Sequence, residues 1–139
     1  MSATTGQGGW PNLVNRRIDF VGEEFLRGLG SLTKEEADAC DFGVVKLDDS
    51  GTIELYNAYE SDLGGVPQDA AEGKSFFMQI APCTNNGLFH GVFKRGVAAK
   101  LLDVSFKYTF TFKINPVNVH VHLYRHADSG TNWVFVRRA

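Results

Sequence analysis

Residues 108–126 read "YTFTFKINPVNVHVHLYRH", and the alternation in this stretch decides the fold. Tyr108, Phe110, Phe112 and Ile114 fall on one face of an extended chain, and Thr109, Thr111 and Lys113 fall on the other, because successive strand side chains point to opposite sides. Asn115-Pro116-Val117-Asn118 carries the residues of a turn. "VHVHLYRH" from Val119 and "NWVFVRRA" from Asn132 then supply two further strands, with Trp133 and Phe135 read as core or interface residues.

Upstream, "GLFHGVFKRGVAAKLL" (87–102) places Leu88, Phe89, Val92, Phe93 and Val97 on one side of a connecting helix, with Lys94, Arg95 and Lys100 on its polar side. "DFGVVKLDDSGTIELYN" (41–57) is a hairpin around Asp49-Ser50-Gly51, in which Val45 and Leu47 are expected to answer Ile53 and Leu55. Between Asn57 and Asn86, Gly64, Gly65, Pro67, Gly73 and Pro82 break the chain into short helical turns, a region able to build a pocket. "IDFVGEEFLRGLGSLTKEEADAC" (18–40) reads as a short helical cap after a leader rich in Gly, Ser and Thr. The sum is an α+β domain with a central five-stranded antiparallel sheet and helices kept to one side: residues 1–40 form an extension and cap, and 41–139 the core.

The chain has 139 residues, of which 43% are hydrophobic and 22% charged, which suits one domain with a substantial core. With 14 Lys and Arg against 16 Asp and Glu, its formal charge of -2 argues against nucleic acid or an anionic membrane as partner. Two cysteines, Cys40 and Cys83, do not make a disulfide scaffold. The start lacks a basic region followed by an apolar one, and no stretch has the length of a membrane span, so a soluble cytoplasmic protein, monomeric or weakly dimeric, is expected.

Several residues could carry chemistry. In "YNAYE", Tyr56 and Glu60 stand four apart, which brings a phenol and a carboxyl together if the chain turns helically; the ordinary alternative is a strand-end tyrosine and a solvated glutamate. Cys83 in "IAPCTN" follows a proline that pushes Ala81 out of helical geometry, so it sits in a loop, although most free cysteines are inert packing groups. A cysteine-nucleophile enzyme would need an oriented base, and His90 comes with no such signature. His120 and His122 point to one strand face roughly 6.5–7 Å apart. The rest of a metal set is missing, and these histidines are expected on the outer, solvated face, opposite Val119, Val121 and Leu123. Cys40 reads as a plain core thiol.

Taken in order, "YNAYE", "GKSFFMQIAPCT", "FHGVFKRGV", "YTFTFK" and "WVFVRR" resemble the photoactive yellow protein family, the xanthopsins, from about Asp41 to Arg138. The resemblance implies a PAS fold, a blue-light receptor rather than an enzyme, and para-hydroxycinnamic acid bound as a thioester to Cys83. It implies that Tyr56 and Glu60 hydrogen-bond the phenolic oxygen and that the Cys83 N–H holds the thioester carbonyl. Phe76, Ile80, Ala81, Thr84 and Phe110 would wall the pocket. The downstream signalling partner is not implied. The alternative is a PAS module that binds another small molecule or a protein; a flavin-type sensor is disfavoured because its Asn-Cys-Arg signature is missing.

An isolated buried phenolate is costly and needs short hydrogen bonds to its charged form, so Glu60 is expected to be neutral at rest, a stored proton. Its later ionisation would loosen the structure, the cap first. The chain departs from the family at four pocket positions. Gly64 and Val66 stand where the family usually has a threonine supporting the tyrosine and an arginine covering the chromophore. Phe112 and Ile114 stand where a tyrosine and a methionine are frequent. A less firmly ionised chromophore and a slower thermal return are expected from these changes.

Overall fold

A computed structural model describes residues 20–111 and 116–139. Gly22 opens a short helix α1 (Glu23–Arg27), a 3-10 turn follows at Leu29–Ser31, and Thr33 starts α2 (Lys34–Asp38). At Thr33 the capping is reciprocal: its hydroxyl accepts the Glu36 N–H at 3.2 Å, and the Glu36 carboxylate accepts the Thr33 N–H at 2.9 Å. These elements form the helical cap expected from the sequence.

Strands β1 (Gly43–Leu47) and β2 (Ile53–Tyr56) form the hairpin. Its turn is held by the Asp48 carboxylate, which accepts the Ser50 and Thr52 N–H groups at 2.9 Å each, while Gly51 takes φ +92°. The register departs from expectation. Leu47 pairs with Ile53, but Leu55 then pairs with Lys46 and Tyr56 with Val45, because Glu54 is an extra residue on β2. This bulge has a functional effect, since it reverses the alternation and turns Tyr56 to the same face as Val45, Leu47 and Ile53.

Helix α3 (Ala58–Gly64), helix α4 (Gln68–Ala71), a π-helical turn (Phe76–Ile80) and a 3-10 turn (Pro82–Thr84) fill the glycine-broken stretch. Helix α5 (His90–Ala99) buries Phe93 and Gly96. Leu88 and Phe89 precede it, and Leu88 is 78% exposed instead of joining the apolar side. Strands β3 (Asp103–Thr111), β4 (Pro116–His126) and β5 (Thr131–Arg138) complete the sheet, whose order is β2-β1-β5-β4-β3. Pro116, Val117 and Asn118 belong to β4 and not to a turn, since the β3–β4 ladder continues to Thr111 opposite Pro116. Proline is tolerated as the first residue of a strand.

Both faces of the sheet are covered. Val45, Val134, Val136, Val119 and Val121 pack with Phe76, Phe77, Phe89 and Phe93 on one side, whereas Val44, Leu55, Trp133 and Phe135 pack with Leu26, Leu29, Ala37 and Phe42 of the cap region on the other. The helices thus lie on both sides, not one. His122 is fully buried under the cap and meets the Asp103 carboxylate at 2.7 Å, so the face expected to be solvated is not.

Candidate chromophore site

Tyr56 and Glu60 are both buried, at 2% and 3% exposure, which removes the alternative of a solvated pair. Asn57, fully buried between them, sets their geometry. Its carbonyl oxygen accepts the Val44 N–H at 2.9 Å and the Glu60 N–H at 3.2 Å, while its amide nitrogen donates to Ala37 at 2.7 Å and Phe42 at 3.0 Å. One amide therefore caps α3, joins it to β1 and ties both to the cap. The spacing Asn57-x-x-Glu60 is that of a capping box, but the glutamate does not close it. Its carboxyl turns inward against Gly43, where an added Cβ would lie 2.2 Å from Oε1.

Glu60 Oε1 is buried with no hydrogen-bond partner. Burial alone pushes this carboxyl up to about 8, so it carries its proton at neutral pH. Burial, and then the nearby Glu60 carboxyl, raise the Tyr56 phenol well above its ordinary value. The Tyr56 hydroxyl reaches the Glu60 backbone carbonyl at 3.4 Å, a long contact to the main chain. The phenol and the carboxyl sit one helical turn apart, and of their polar ends it is Glu60 Oε1 that has no partner.

Cys83 is half-buried in the 3-10 turn. The turn's backbone bonds run from Thr84 N–H to Ala81 and from Asn85 N–H to Pro82, at 2.9 and 3.1 Å, and engage neither Cys83 N–H nor its sulfur. Thr84, fully buried, turns its hydroxyl back to the Ala81 carbonyl at 2.6 Å. A cavity of about 720 Å³ opens beside Cys83, lined by Leu63, Gly64 and Val66 from α3 and the chain after it, Ile80, Ala81 and Cys83 from the turns that follow, and Thr111, Val117 and Arg138 from the sheet. Its size is that of a small-molecule site.

The structure thus brings Cys83, Ile80, Ala81, Gly64 and Val66 to one cavity. Phe76, Thr84 and Phe110 are buried in the adjoining core. Tyr56 and Glu60 do not line the cavity; Leu63 and Gly64, about one turn along α3 from Glu60, do. Phe112 and Ile114 lie outside the described residues. His90 stacks on Phe77 with centroids 4.0 Å apart and meets Asn85, not Cys83. Cys40 packs at the edge of the cap core, its thiol raised by burial and then by Asp41, Asp38 and Glu36. Sequence reading missed Asn57, Gly43 and Arg138. Of these, the Asn-x-x-Glu spacing at Asn57 was a visible helix-start signal.

The photoactive yellow protein of Rhodothalassium salexigens is 38% identical to this chain over 122 residues, covering 87% of the chain and 97% of that protein. The chain belongs to the photoactive yellow protein family. The photoactive yellow protein of Halochromatium salexigens is 33% identical with the same coverage. Among solved structures, the photoactive yellow protein domain of the sensor histidine kinase Ppr from Rhodospirillum centenum superposes with a TM-score of 0.77 at 34% identity, over 81% of this chain and 99% of that one. A PAS domain of an HTR-like protein from Haloarcula marismortui, 17% identical, superposes at 0.57 over 84% of this chain and 99% of its own, which speaks for the fold alone. No family model matches the chain.

Membership makes the chain a PAS-fold sensory photoreceptor of the photoactive yellow protein type, and its relatives imply a chromophore. The residues present fit such a group: Cys83, a free thiol, lines a cavity, and on the helix that supplies Leu63 and Gly64 to its wall a buried carboxyl oxygen of Glu60 has no partner. Among the described residues, no three metal-ligating side chains gather, and no helix is long and apolar enough to cross a membrane.

Proposed function

We propose that the chain is a blue-light receptor that holds para-hydroxycinnamic acid as a thioester on Cys83. The observation that carries this reading is the protonated, unpartnered Glu60 carboxyl, borne by the same short helix whose Leu63 and Gly64 line the cavity that Cys83 also lines. The bound group would supply light absorption and double-bond isomerisation. The chain's own residues do the rest. Tyr56 and Glu60 serve as donors to a phenolate oxygen, and the Cys83 N–H, unused by its turn, serves as donor to the thioester carbonyl.

Glu60 holds its proton at the carboxyl because the surroundings offer no counter-charge. Once it gives that proton up, it is a buried carboxylate without a partner, a state costing several kcal/mol against a domain stability of about 5–15 kcal/mol. The strain falls first on α3, which Asn57 bonds directly to the cap at Ala37. Loosening of the cap is the proposed signal, to be read by a partner whose identity is open.

Mixing the apoprotein with an activated hydroxycinnamic ester should produce a visible absorption band and a matching mass increase, both lost in Cys83→Ala. No band in the wild type would favour a PAS module for another ligand. Gly64 and Val66 at the cavity wall give Tyr56 no polar support, so a protonated, shorter-wavelength fraction is expected at neutral pH. A pH titration showing one anionic band down to low pH would contradict this.

A further inference from the structure

Three groups close a small ring of hydrogen bonds behind Cys83. The Tyr108 hydroxyl donates to the Cys83 carbonyl at 2.5 Å, the Asn86 amide nitrogen donates to the same carbonyl at 3.2 Å, and that nitrogen also donates to the Tyr108 oxygen at 2.7 Å. The proton count is consistent: the two amide protons and the phenolic proton each have one acceptor, and the carbonyl uses both lone pairs. The amide orientation is fixed from its other end, where Asn86 Oδ1 accepts the Leu88 and Phe89 N–H groups at 3.0 Å each. Tyr108 is anchored in turn on β3, with its ring edge-on to Phe89 at 5.1 Å.

We propose that Asn86 and Tyr108 are positioning residues for attachment at Cys83: they hold its carbonyl from the side of β3 and α5 and so fix how its sulfur is presented to the cavity that Cys83 lines. This rests on the reading of Cys83 as the attachment residue. A cysteine on a three-residue turn next to proline has few other restraints, because the backbone bonds of the turn run from Thr84, Asn85 and Asn86 to Ala81, Pro82 and Thr84 and pass over Cys83 itself. Two donors on one carbonyl fix the peptide plane that follows the sulfur-bearing Cα, and so restrict its ψ. In the attachment step, the Cys83 thiol gives its proton to solvent. Its sulfur then forms a bond to the acyl carbon of an activated hydroxycinnamic ester, and the leaving group departs with the electron pair of the broken bond. The rate depends on how the sulfur is aimed within the cavity.

The test compares two reagents on apoprotein. Activated hydroxycinnamic ester must enter the cavity to react, whereas iodoacetamide is small and indifferent to aim; the readout is the ratio of the two rate constants at Cys83, with melting temperature followed in parallel. Asn86→Asp keeps the acceptor for Leu88 and Phe89 but loses both donors, and the ratio should fall about tenfold. Tyr108→Phe keeps the ring packing and loses one donor, and should fall roughly threefold. Unchanged ratios in both variants, or two rates that shift together with the melting temperature, would overturn the clamp. If the wild type forms no ester adduct at all, the chromophore reading fails first and the clamp with it; an adduct in the wild type with unaltered variants sinks the clamp alone.

Discussion

Two helix starts in this chain carry the same spacing and put it to opposite use. At Thr33-x-x-Glu36 the glutamate is exposed and returns to cap the Thr33 N–H, so both partners are satisfied. At Asn57-x-x-Glu60 the asparagine caps, but the glutamate is withheld, buried against Gly43 with one oxygen unpartnered and its proton retained. The first arrangement serves stability. The second leaves a polar group unsatisfied, a cost of about 1–3 kcal/mol, and so points to a group kept for function.

The largest expected effect tests that withheld carboxyl. The folded Glu60 ionises at about 8, whereas an unfolded glutamate ionises near the ordinary value of about 4.3. Its contribution is therefore fully present below the lower value and is lost as pH rises through the upper one. Apoprotein stability should fall by about 1.4 kcal/mol per pH unit between roughly pH 5 and 8 relative to Glu60→Gln, on the order of 4 kcal/mol in all. Urea unfolding of both proteins across that range measures the difference, and parallel curves would contradict it.

Asn57→Ala should cost about 3 kcal/mol by the same assay, because it leaves the Ala37 and Phe42 carbonyls and the Val44 and Glu60 N–H groups without their partner. Gly43→Ala should cost roughly 2 kcal/mol by driving a methyl into the Glu60 carboxyl. Adding Glu60→Ala should remove most of that cost, and simple additivity would show the contact to be idle. Smallest is Thr33→Ala, about 1 kcal/mol, the loss of an exposed cap with no change in the pH dependence of stability.

What could be read from the sequence follows the same division. The strands were legible because residues of β3, β4 and β5 alternate over long runs, and the cap was legible through its helical spacing. The Glu54 bulge was not, since nothing in "TIELY" marks an extra residue; yet it is what turns Tyr56 to the pocket side. The burial of His122 is not legible, because alternation tells the two faces of a strand apart but not what covers each. Pro116 points to a turn because Asn-Pro is turn chemistry, whereas a strand's first position also accepts proline. Tyr56 and Glu60 share a helical spacing, but their link to Cys83 stands out only through the likeness to a family, because residues that far apart have no local pattern in common. Asn86 and Tyr108 stood out from neither.

Strand β5 makes one more demand on the molecule. Because Trp133 and Phe135 serve one face while Val134 and Val136 serve the other, slipping the strand by a single residue would drive an indole toward the side of the candidate site and a valine under the cap. Asn132 acts as the key in this lock. Fully buried, it donates to the Leu47 carbonyl at 3.2 Å and to Asp49 at 2.9 Å, and accepts from Arg125 at 2.7 Å, so it indexes β5 against β1 and β4 at once. The two compartments of the protein are thereby set by a single indexed strand, and neither can be assembled in the wrong frame without spoiling the other.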